Sequence, residues 1–411
     1  MKQFCYSSIA LLYIILLSGN IFAQWEDTGS PFGGYVYTIA TDEPNIFIGT
    51  DLGGVYRSTD DGANWTQINS GLTNTSVKAL AFAGSSLFAG TSTGGIFRST
   101  DNGSNWVEVN NGLSVLFINT LAVSGSNIFA GARLSVTGGG VFLSTNNGDN
   151  WTYVGLTDYE VYSLAISGNN IFAGTDNGVY LSSDNGSNWT EVNSGLTESD
   201  VYSLKFSNSN LYAGTPNGLF YSSDNGSNWT NMNSSTLDNI SIRSIAIHQV
   251  NIIVGSDGWG VYVSTNNGST WEENDAGLPN SFATIYALTT SSTKIYAGTQ
   301  NGGAWERPLT DYVTDVEKTS DILPQKFNLA QNYPNPFNPS TKIGYSIPEA
   351  SFVQLKIYDI LGNEVASLVN QEQTAGVYRA DFKANDLASG FYIAQLIAGN
   401  YVQTIKMSLM K

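Results

Sequence analysis

Few side chains in this sequence can do chemistry, and their types limit it sharply. His248 is the single histidine, which excludes a histidine-based triad and a multi-histidine metal site. Cys5 is the single cysteine and falls in an apolar leader, so the mature chain has no disulfide or thiol chemistry. The glycine pairs Gly53-Gly54 and Gly94-Gly95 sit in hairpins, not ahead of helices, and no phosphate-cradling or dinucleotide pattern exists. Carboxylates remain. Asp158, Asp200 and Asp257 lie in short loops, and two of them in a cleft could work as a glycan-hydrolysing pair if their separation allowed it. No catalytic residue, metal ligand or cofactor is assigned on this basis, and the chain reads more readily as a binding protein than as an enzyme.

The elements that must position these residues come from a repeat. The pattern S-x-D/N-x-G-x-x-W occurs six times, pairing Asp60 with Trp65, Asp101 with Trp106, Asn146 with Trp151, Asp184 with Trp189, Asp224 with Trp229 and Asn266 with Trp271. Successive tryptophans are 41, 45, 38, 40 and 42 residues apart, the period of a repeat architecture. Within the unit 161–193, short β-branched and aromatic runs are separated by Gly168-Asn169-Asn170, Asp176-Asn177-Gly178 and Asp184-Asn185-Gly186. Such turns tolerate positive φ and join hairpins, so each unit reads as a four-stranded antiparallel meander, one β-propeller blade. In the repeated turn the Asp or Asn accepts backbone N–H groups and the Trp folds back as an apolar plug. Asn146 and Asn266 show that a neutral acceptor suffices, which assigns these residues a structural role.

Trp25-Glu26-Asp27 aligns with the fourth-strand start Trp65-Thr66-Gln67, while the last unit stops at Pro308 after three strands. The N-terminal strand therefore completes the last blade, giving a seven-bladed β-propeller over residues 24–309 with fewer open edges. Lys2, the apolar run 9–17 and Ala23 mark residues 1–23 as a secretory signal peptide, and no other stretch could cross a membrane as a helix. Loops 2–3 and connections 4–1 of the blades share the rim opposite the repeated turns. There the third unit inserts Arg133 to Thr137, and Trp259, Asp257, Phe117, Tyr159 and Phe282 are the candidate ligand-binding residues together with Arg133. Aromatics beside polar loops can stack on sugars or anchor a peptide.

Residues 310–326 break the period and read as a linker. From Phe327 the composition changes: Tyr333-Pro334-Asn335-Pro336-Phe337-Asn338-Pro339 cannot be helix or central strand, and alternating runs follow to residue 407. The fold is all-β, the propeller being followed by a small immunoglobulin-like β-sandwich over 327–411. Charge narrows the partners further. Without the leader, 16 basic residues face 34 acidic ones, a net charge of −18, and no basic patch suits nucleic acid or an anionic membrane.

The repeated turns resemble the Asp-box, or BNR, repeats of sialidases, sortilin-type receptors, xyloglucanases and the photosystem II stability factor family. That resemblance implies a propeller and leaves the activity open. Sialidases clamp a carboxylate with three arginines; here the propeller has Arg57, Arg98, Arg133, Arg243 and Arg307, with Arg57 and Arg98 at equivalent pre-turn positions, so convergence of three is not expected. Xyloglucanases pair two propellers across a cleft, and this chain has one. Asn332 to Pro339, with Pro334, Asn335, Pro336 and Phe337 at its centre, Ile357 to Gly362, Leu387 to Tyr392 and the tail Lys406 to Lys411 resemble a type A sorting domain of the type IX secretion system. This implies a Bacteroidota-like source, Sec export and then passage over the outer membrane. The secretion machinery and a sortase are the partners of the C-terminal domain, and the cargo is released or held on the surface. The expected function is non-catalytic binding of an unknown glycan or protein ligand by a secreted or surface-displayed propeller. The alternatives are a glycan hydrolase of sialidase- or xyloglucanase-like fold and an assembly or scaffold factor.

Overall fold

The structure is a computed structural model. It describes residues 24–30, 34–136, 138–207, 209–233, 236–248, 251–279, 283–309, 316–320, 324 and 326–411 save 385–386. The leader read in residues 1–23 and Phe282 lie outside the described residues. Among the described residues every regular element is a β-strand, and the strands form nine four-stranded sheets. Seven of these sheets come from residues 26–308, six of them meanders of strands consecutive in sequence. Their central strands are apolar on both faces: Asn45–Thr50, Ser86–Thr91 and Asn170–Thr175 are buried almost throughout, because each sheet is covered by a neighbour on either side. The innermost strands touch in succession, from Val36–Asp42 through Val77–Ala83 and onward, and Ile285–Thr290 of the seventh sheet returns to Val36–Asp42. The ring is therefore closed, and the fold is a β-propeller.

Closure uses the N-terminus. Glu26–Asp27 pairs antiparallel with Ala304–Pro308, setting Glu26 opposite Glu306 and Asp27 opposite Trp305, and so becomes the outer strand of the seventh sheet. Trp25 just before it is fully buried. Its indole Nε1 donates to the Asn274 carbonyl at 2.6 Å and its backbone N–H to the Ala276 carbonyl at 2.8 Å.

Those bonds repeat one latch. Trp106, Trp151, Trp189, Trp229 and Trp271 donate Nε1 to the carbonyls of Ile68, Val109, Val154, Val192 and Met232, each three residues past the tryptophan of the preceding sheet, at 2.7–3.1 Å. The loop that receives the tryptophan carries a glycine for a steric reason. A Cβ on Gly71 would lie 2.2 Å from the Trp106 carbonyl oxygen, and Gly112, Gly195 and Gly277 are confined in the same way by Trp151, Trp229 and Trp25. The turn before each tryptophan is built by its Ser and Asp. At the fourth sheet Ser182 Oγ donates to Asp184 Oδ1 and accepts the Gly186 N–H, while Asn188 donates its N–H and its Nδ2 to the Asp184 carboxylate at 2.9 and 2.7 Å. Asn146 and Asn266 accept the equivalent N–H bonds from Asn150 and Thr270 at 3.0 and 2.9 Å.

The joint between the seventh and first sheets departs from this scheme. Trp65 Nε1 is buried without a hydrogen-bond partner among the described residues. A polar cluster ties the joint instead: Tyr296 donates its hydroxyl to Asp61 Oδ1 at 2.8 Å, and Lys294 lies 2.9 Å from Glu306 and 3.3 Å from Asp61.

The remaining two sheets, beyond residue 315, pack around one core that includes Phe337, Tyr345, Leu355, Ile357, Phe382, Leu396 and Met407. Inside the stretch read as linker, Val316–Ser320 pairs antiparallel with Gly376–Lys383 and forms an edge strand of this second unit. Its polar composition hid it, since an edge strand needs ladder hydrogen bonds on one side only. The motif around Pro334 is fastened to the last strand, Tyr401–Leu409. The Phe337 N–H donates to the Ser408 carbonyl, the Ser408 N–H to Asn335 Oδ1 and the Met410 N–H to the Phe337 carbonyl, each at 2.9 Å, and the Phe337 ring is buried beside Phe382. The peptide bonds Tyr333–Pro334 and Asn335–Pro336 are cis.

Two outcomes follow for stability. Trp25→Ala removes a buried indole and its Nε1 bond to the Asn274 carbonyl, and should lower stability by about 3–5 kcal/mol, read as a fall in the melting temperature. An unchanged melting temperature would sever the latch from ring closure. The carboxyls of Asp60, Asp101, Asp184 and Asp224 are held below their ordinary range by the side-chain amide of the Asn four residues on, then by its N–H and by the turn Ser. A folded-state pKa below the unfolded one gives stability present above the unfolded value, 3.8, and lost as pH falls through the folded value. The propeller should therefore weaken on acidification below about pH 4, and Asp184→Asn should shrink that acid dependence while keeping the turn, as Asn146 does. Thermal scans between pH 2 and 6 test it.

Candidate functional site

The rim opposite the repeated turns is regular in its backbone. The 2–3 loops are tied to the start of the innermost strand by Asp51 N–H to Tyr35 O, Ser92 to Ser76, Arg133 to Phe117, Asp176 to Glu160, Asp257 to Ser241 and Gln300 to Thr284, at 2.9–3.2 Å. At the same level the innermost strands break register. The shifts fall between Val36 and Thr38, Val77 and Ala79, Ile118 and Thr120, Val161 and Ser163, Ile242 and Ser244, and Ile285 and Ala287. The residues at these bulges are Tyr37, Lys78, Asn119, Tyr162, Arg243 and Tyr286, and in the fifth sheet Tyr202 stands at the same place just before Ser203. A bulge releases one residue from the ladder and re-aims its side chain. All seven are half-buried.

These side chains meet across the joints between sheets. Lys78 Nζ lies 3.1 Å from the centroid of the Tyr37 ring, and Tyr37 packs edge-on against Tyr286 with centroids 5.2 Å apart. Tyr35 joins the same group, 5.8 Å from Tyr37 and 5.9 Å from Tyr286. On the other side of the axis the Arg243 guanidinium lies 4.0 Å over the Tyr202 ring, which packs against Tyr162 at 5.4 Å. Asn119 Nδ2 reaches Glu160 Oε1 at 3.2 Å and closes the third joint. The mouth of the axial channel is thus walled by tyrosines and carries two cations laid on aromatic faces.

Charge in the mouth is graded. Arg243 holds Asp257 at 2.6 Å, and Thr284 donates to the other oxygen of that carboxylate at 3.0 Å. Burial opposes ionisation of Asp257, and the Arg243 and Thr284 bonds overcome it, so its carboxyl stays below the usual range. Burial pushes Glu160 up; Asn119 and then Arg133, 3.6 Å away, hold it back in part, and Asp176 and Asp200 add to the rise. Lys78 is brought down to about 8, chiefly by burial; Asp51 opposes the fall and Arg133 adds to it.

Of the residues expected to bind ligand, Asp257 and Arg133 belong to this mouth. Trp259 is half-exposed in the 2–3 loop of the sixth sheet, and Phe117 is exposed beside the base of the Arg133 loop. Tyr159 is half-buried, its ring centroid 5.0 Å from that of Tyr180. Residues 134–136 extend beyond the common rim in the long third-sheet hairpin, with Val136 fully exposed. Arg57 and Arg98 are spent elsewhere, donating to the Asn102 and Asn147 carbonyls of the next turn, and Arg98 also to Asp149. The bulge residues were not anticipated. Their signal was present in the residue after the first apolar one of each innermost strand, which reads Tyr, Lys, Asn, Tyr, Tyr, Arg, Tyr. Among the described residues no group of three or more His, Cys, Asp or Glu is arranged to hold a metal ion.

Comparison with known proteins agrees with this architecture. Residues 182–297 match the DUF6242 beta propeller domain, and residues 331–410 match the secretion system C-terminal sorting domain. The chain is a β-propeller carried by a type IX sorting domain. Secretion by that system delivers it to the cell surface or the extracellular space. No helix among the described residues is long and apolar enough to cross a membrane. No curated protein matches the chain. Solved structures similar to it include YCF48 bound to D1 peptide, at 15% identity and a TM-score of 0.59, over 70% of this chain and 96% of that one. PorZ, a surface component of the type IX secretion system of Porphyromonas gingivalis, is similar at 14% identity and a TM-score of 0.54, over 92% of this chain and 60% of that one. The GH74 enzyme of Niastella koreensis is similar at 17% identity and a TM-score of 0.52, over 93% of this chain and 67% of that one. At these identities the likeness is one of fold.

The lowered Lys78 predicts a pH response of the propeller. Between about 8 and 10.5 the unfolded chain holds a proton at this position that the folded chain has released, so Lys78 adds stability as pH rises through that window. Lys78→Met should flatten the rise in melting temperature between pH 8 and about pH 10, where free tyrosines begin to ionise. An unchanged slope would place Lys78 in open solvent.

Proposed function

We propose that this protein is a secreted or surface-displayed binding module whose sheets are the blades of one seven-bladed Asp-box propeller. It engages a polysaccharide or a protein surface without catalysis, at the axial mouth opposite the repeated turns. The observation that carries the reading is the set of half-buried bulge residues, four tyrosines with Lys78, Arg243 and Asn119, which a stable ring alone does not require. Tyrosine offers a flat apolar face and a polar tip, the combination that stacks on sugar rings or on peptide side chains. Arg133, Asp257, Trp259 and Phe117 extend the same rim outwards. The C-terminal unit, immunoglobulin-like in its two packed sheets, is the part handled by the secretion machinery and a sortase after a signal peptide has opened the Sec route.

One observation favours a second reading, a glycan hydrolase. Glu160 has the raised carboxyl that a general acid needs and stands near Asp176 and Asp200.

Pull-down of the mature chain on a polysaccharide and glycan array, with released sugar assayed, separates the two. For the binding module, wild type is retained, Tyr37→Ala/Tyr286→Ala is retained about tenfold more weakly, and no sugar appears. Full retention of the double variant would remove the mouth from the reading. Sugar released by wild type and not by Glu160→Gln would make the protein a hydrolase.

A further inference from the structure

One joint of the ring is built from different side chains than the others. At five joints the residue three past the previous tryptophan covers the turn glycine of the next sheet, as Ile68 covers Gly103 and Val154 covers Gly186. Between the seventh and first sheets, a Cβ on Gly62 would instead meet the Glu306 carboxylate at 2.9 Å, with Thr28 set back at 3.6 Å. Four positions change together here. Lys294 opens a strand that the other six sheets open with Asn or Ser. Asp61 takes the left-handed turn position that is Asn in the other five turns. Tyr296 replaces the Phe of the first four sheets, and the Glu306 opposite it stands where no other sheet has an acid.

These substitutions make the joint the easiest to part. Trp65 Nε1 and Glu306 Oε2 are both buried there without a partner among the described residues, and a buried polar atom left unpaired is destabilising. The indoles at the other six joints each donate to a carbonyl of the preceding sheet. Lys294 and Glu306 are largely withdrawn from water, their side chains 25% and 18% exposed, so desolvation offsets much of their attraction. Glu26 stands opposite Glu306 in the outer strand pair and adds a like charge. The bonds that hold the joint run from Tyr296 to Asp61 and from Lys294 to Glu306 and Asp61, and water replaces each of them when the sheets separate. Parting any other joint breaks an indole bond and exposes mainly apolar surface. Parting this one also hydrates two orphaned polar atoms and three charges.

We propose that the joint between the seventh and first sheets is a gate at which the folded ring opens while the other six joints stay shut. Asp61, Lys294, Tyr296 and Glu306 are the clasp that closes it. The mouth shares this joint. Tyr37 of the first sheet meets Tyr286 of the seventh with centroids 5.2 Å apart, and Gln300 donates to the Tyr35 hydroxyl at 2.9 Å. Opening therefore parts the aromatic group at the mouth, and a molecule spanning Tyr37 and Tyr286 would hold the ring closed. The gate rests on the joint alone and stands whether or not the mouth binds a glycan or a protein.

The test is hydrogen exchange of the full mature chain under native conditions, read by mass spectrometry. In wild type, Val36–Asp42 and Ile285–Thr290 should exchange about tenfold faster than Val161–Ser167 of the fourth sheet. Fraying of chain ends would give the same contrast, so variants decide. Asp61→Asn/Lys294→Asn/Tyr296→Phe/Glu306→Leu gives the joint the residues that meet between the fourth and fifth sheets, and should slow exchange in the first and seventh sheets about tenfold. A second pair covers failure of that variant to fold. Trp65→Phe and Trp106→Phe shrink the indole equally, but only Trp106→Phe removes a bond, the one to the Ile68 carbonyl. It should speed exchange in the sheets it joins about tenfold more than Trp65→Phe does in its own. Uniform exchange over the seven sheets of wild type would overturn the gate. So would a folded fourfold variant that exchanges as fast as wild type, or equal effects of the two tryptophan changes.

Discussion

The joint between one sheet and the next is what the rest of this molecule depends on. A four-stranded sheet that is apolar on both faces cannot persist in water alone, so each is stable only while covered on both sides. The tryptophan latch supplies that cover and its registration together. The indole fills the gap, its Nε1 finds a carbonyl three residues past the previous tryptophan, and its backbone seats on a glycine that leaves no room for a Cβ. Because the latch acts between neighbours, its last instance must join the two ends of the repeat region. Trp25 does so, which is why a two-residue strand at the N-terminus matters to the whole ring. The joint with an unpartnered Trp65 carries the Lys294, Asp61 and Glu306 cluster instead.

The turn motif was legible in the sequence because its physics is local. Ser, Asp or Asn, Gly and Trp contact residues within four positions, or a fixed period away, so spacing alone exposed them. The pairing of Glu26–Asp27 with the last sheet was legible for a related reason: an incomplete unit at one end matched a spare strand at the other. The edge strand Val316–Ser320 was hidden, because a polar run next to a charged one has no periodicity to read and takes its structure from Gly376–Lys383, far along the chain.

The mouth was only half legible. Asp257 and Arg133 stood out as loop residues, but the tyrosines around the axis sit inside strands, where an aromatic residue reads as core. The bulge separates them from core, and a bulge is a register relation between two strands that one strand cannot display. Tyr159 illustrates the converse. It stands in a loop, and its ring packs beside that of Tyr180 in the next strand pair, a contact no single stretch of sequence displays.

The two faces of the ring obey different constraints, and this bears on where specificity resides. On the turn face, changing Trp, Gly or the turn acceptor breaks a latch, so those residues recur from sheet to sheet. On the mouth face the bulge residue contributes nothing to the ladder, and the same position accepts Tyr, Lys, Asn or Arg at little cost to the fold. Further along the innermost strand six of the seven sheets carry Ala or Thr, opposite an aromatic residue or Ile253 of the adjoining strand. The tyrosines at the mouth are permitted by the fold and not required by it.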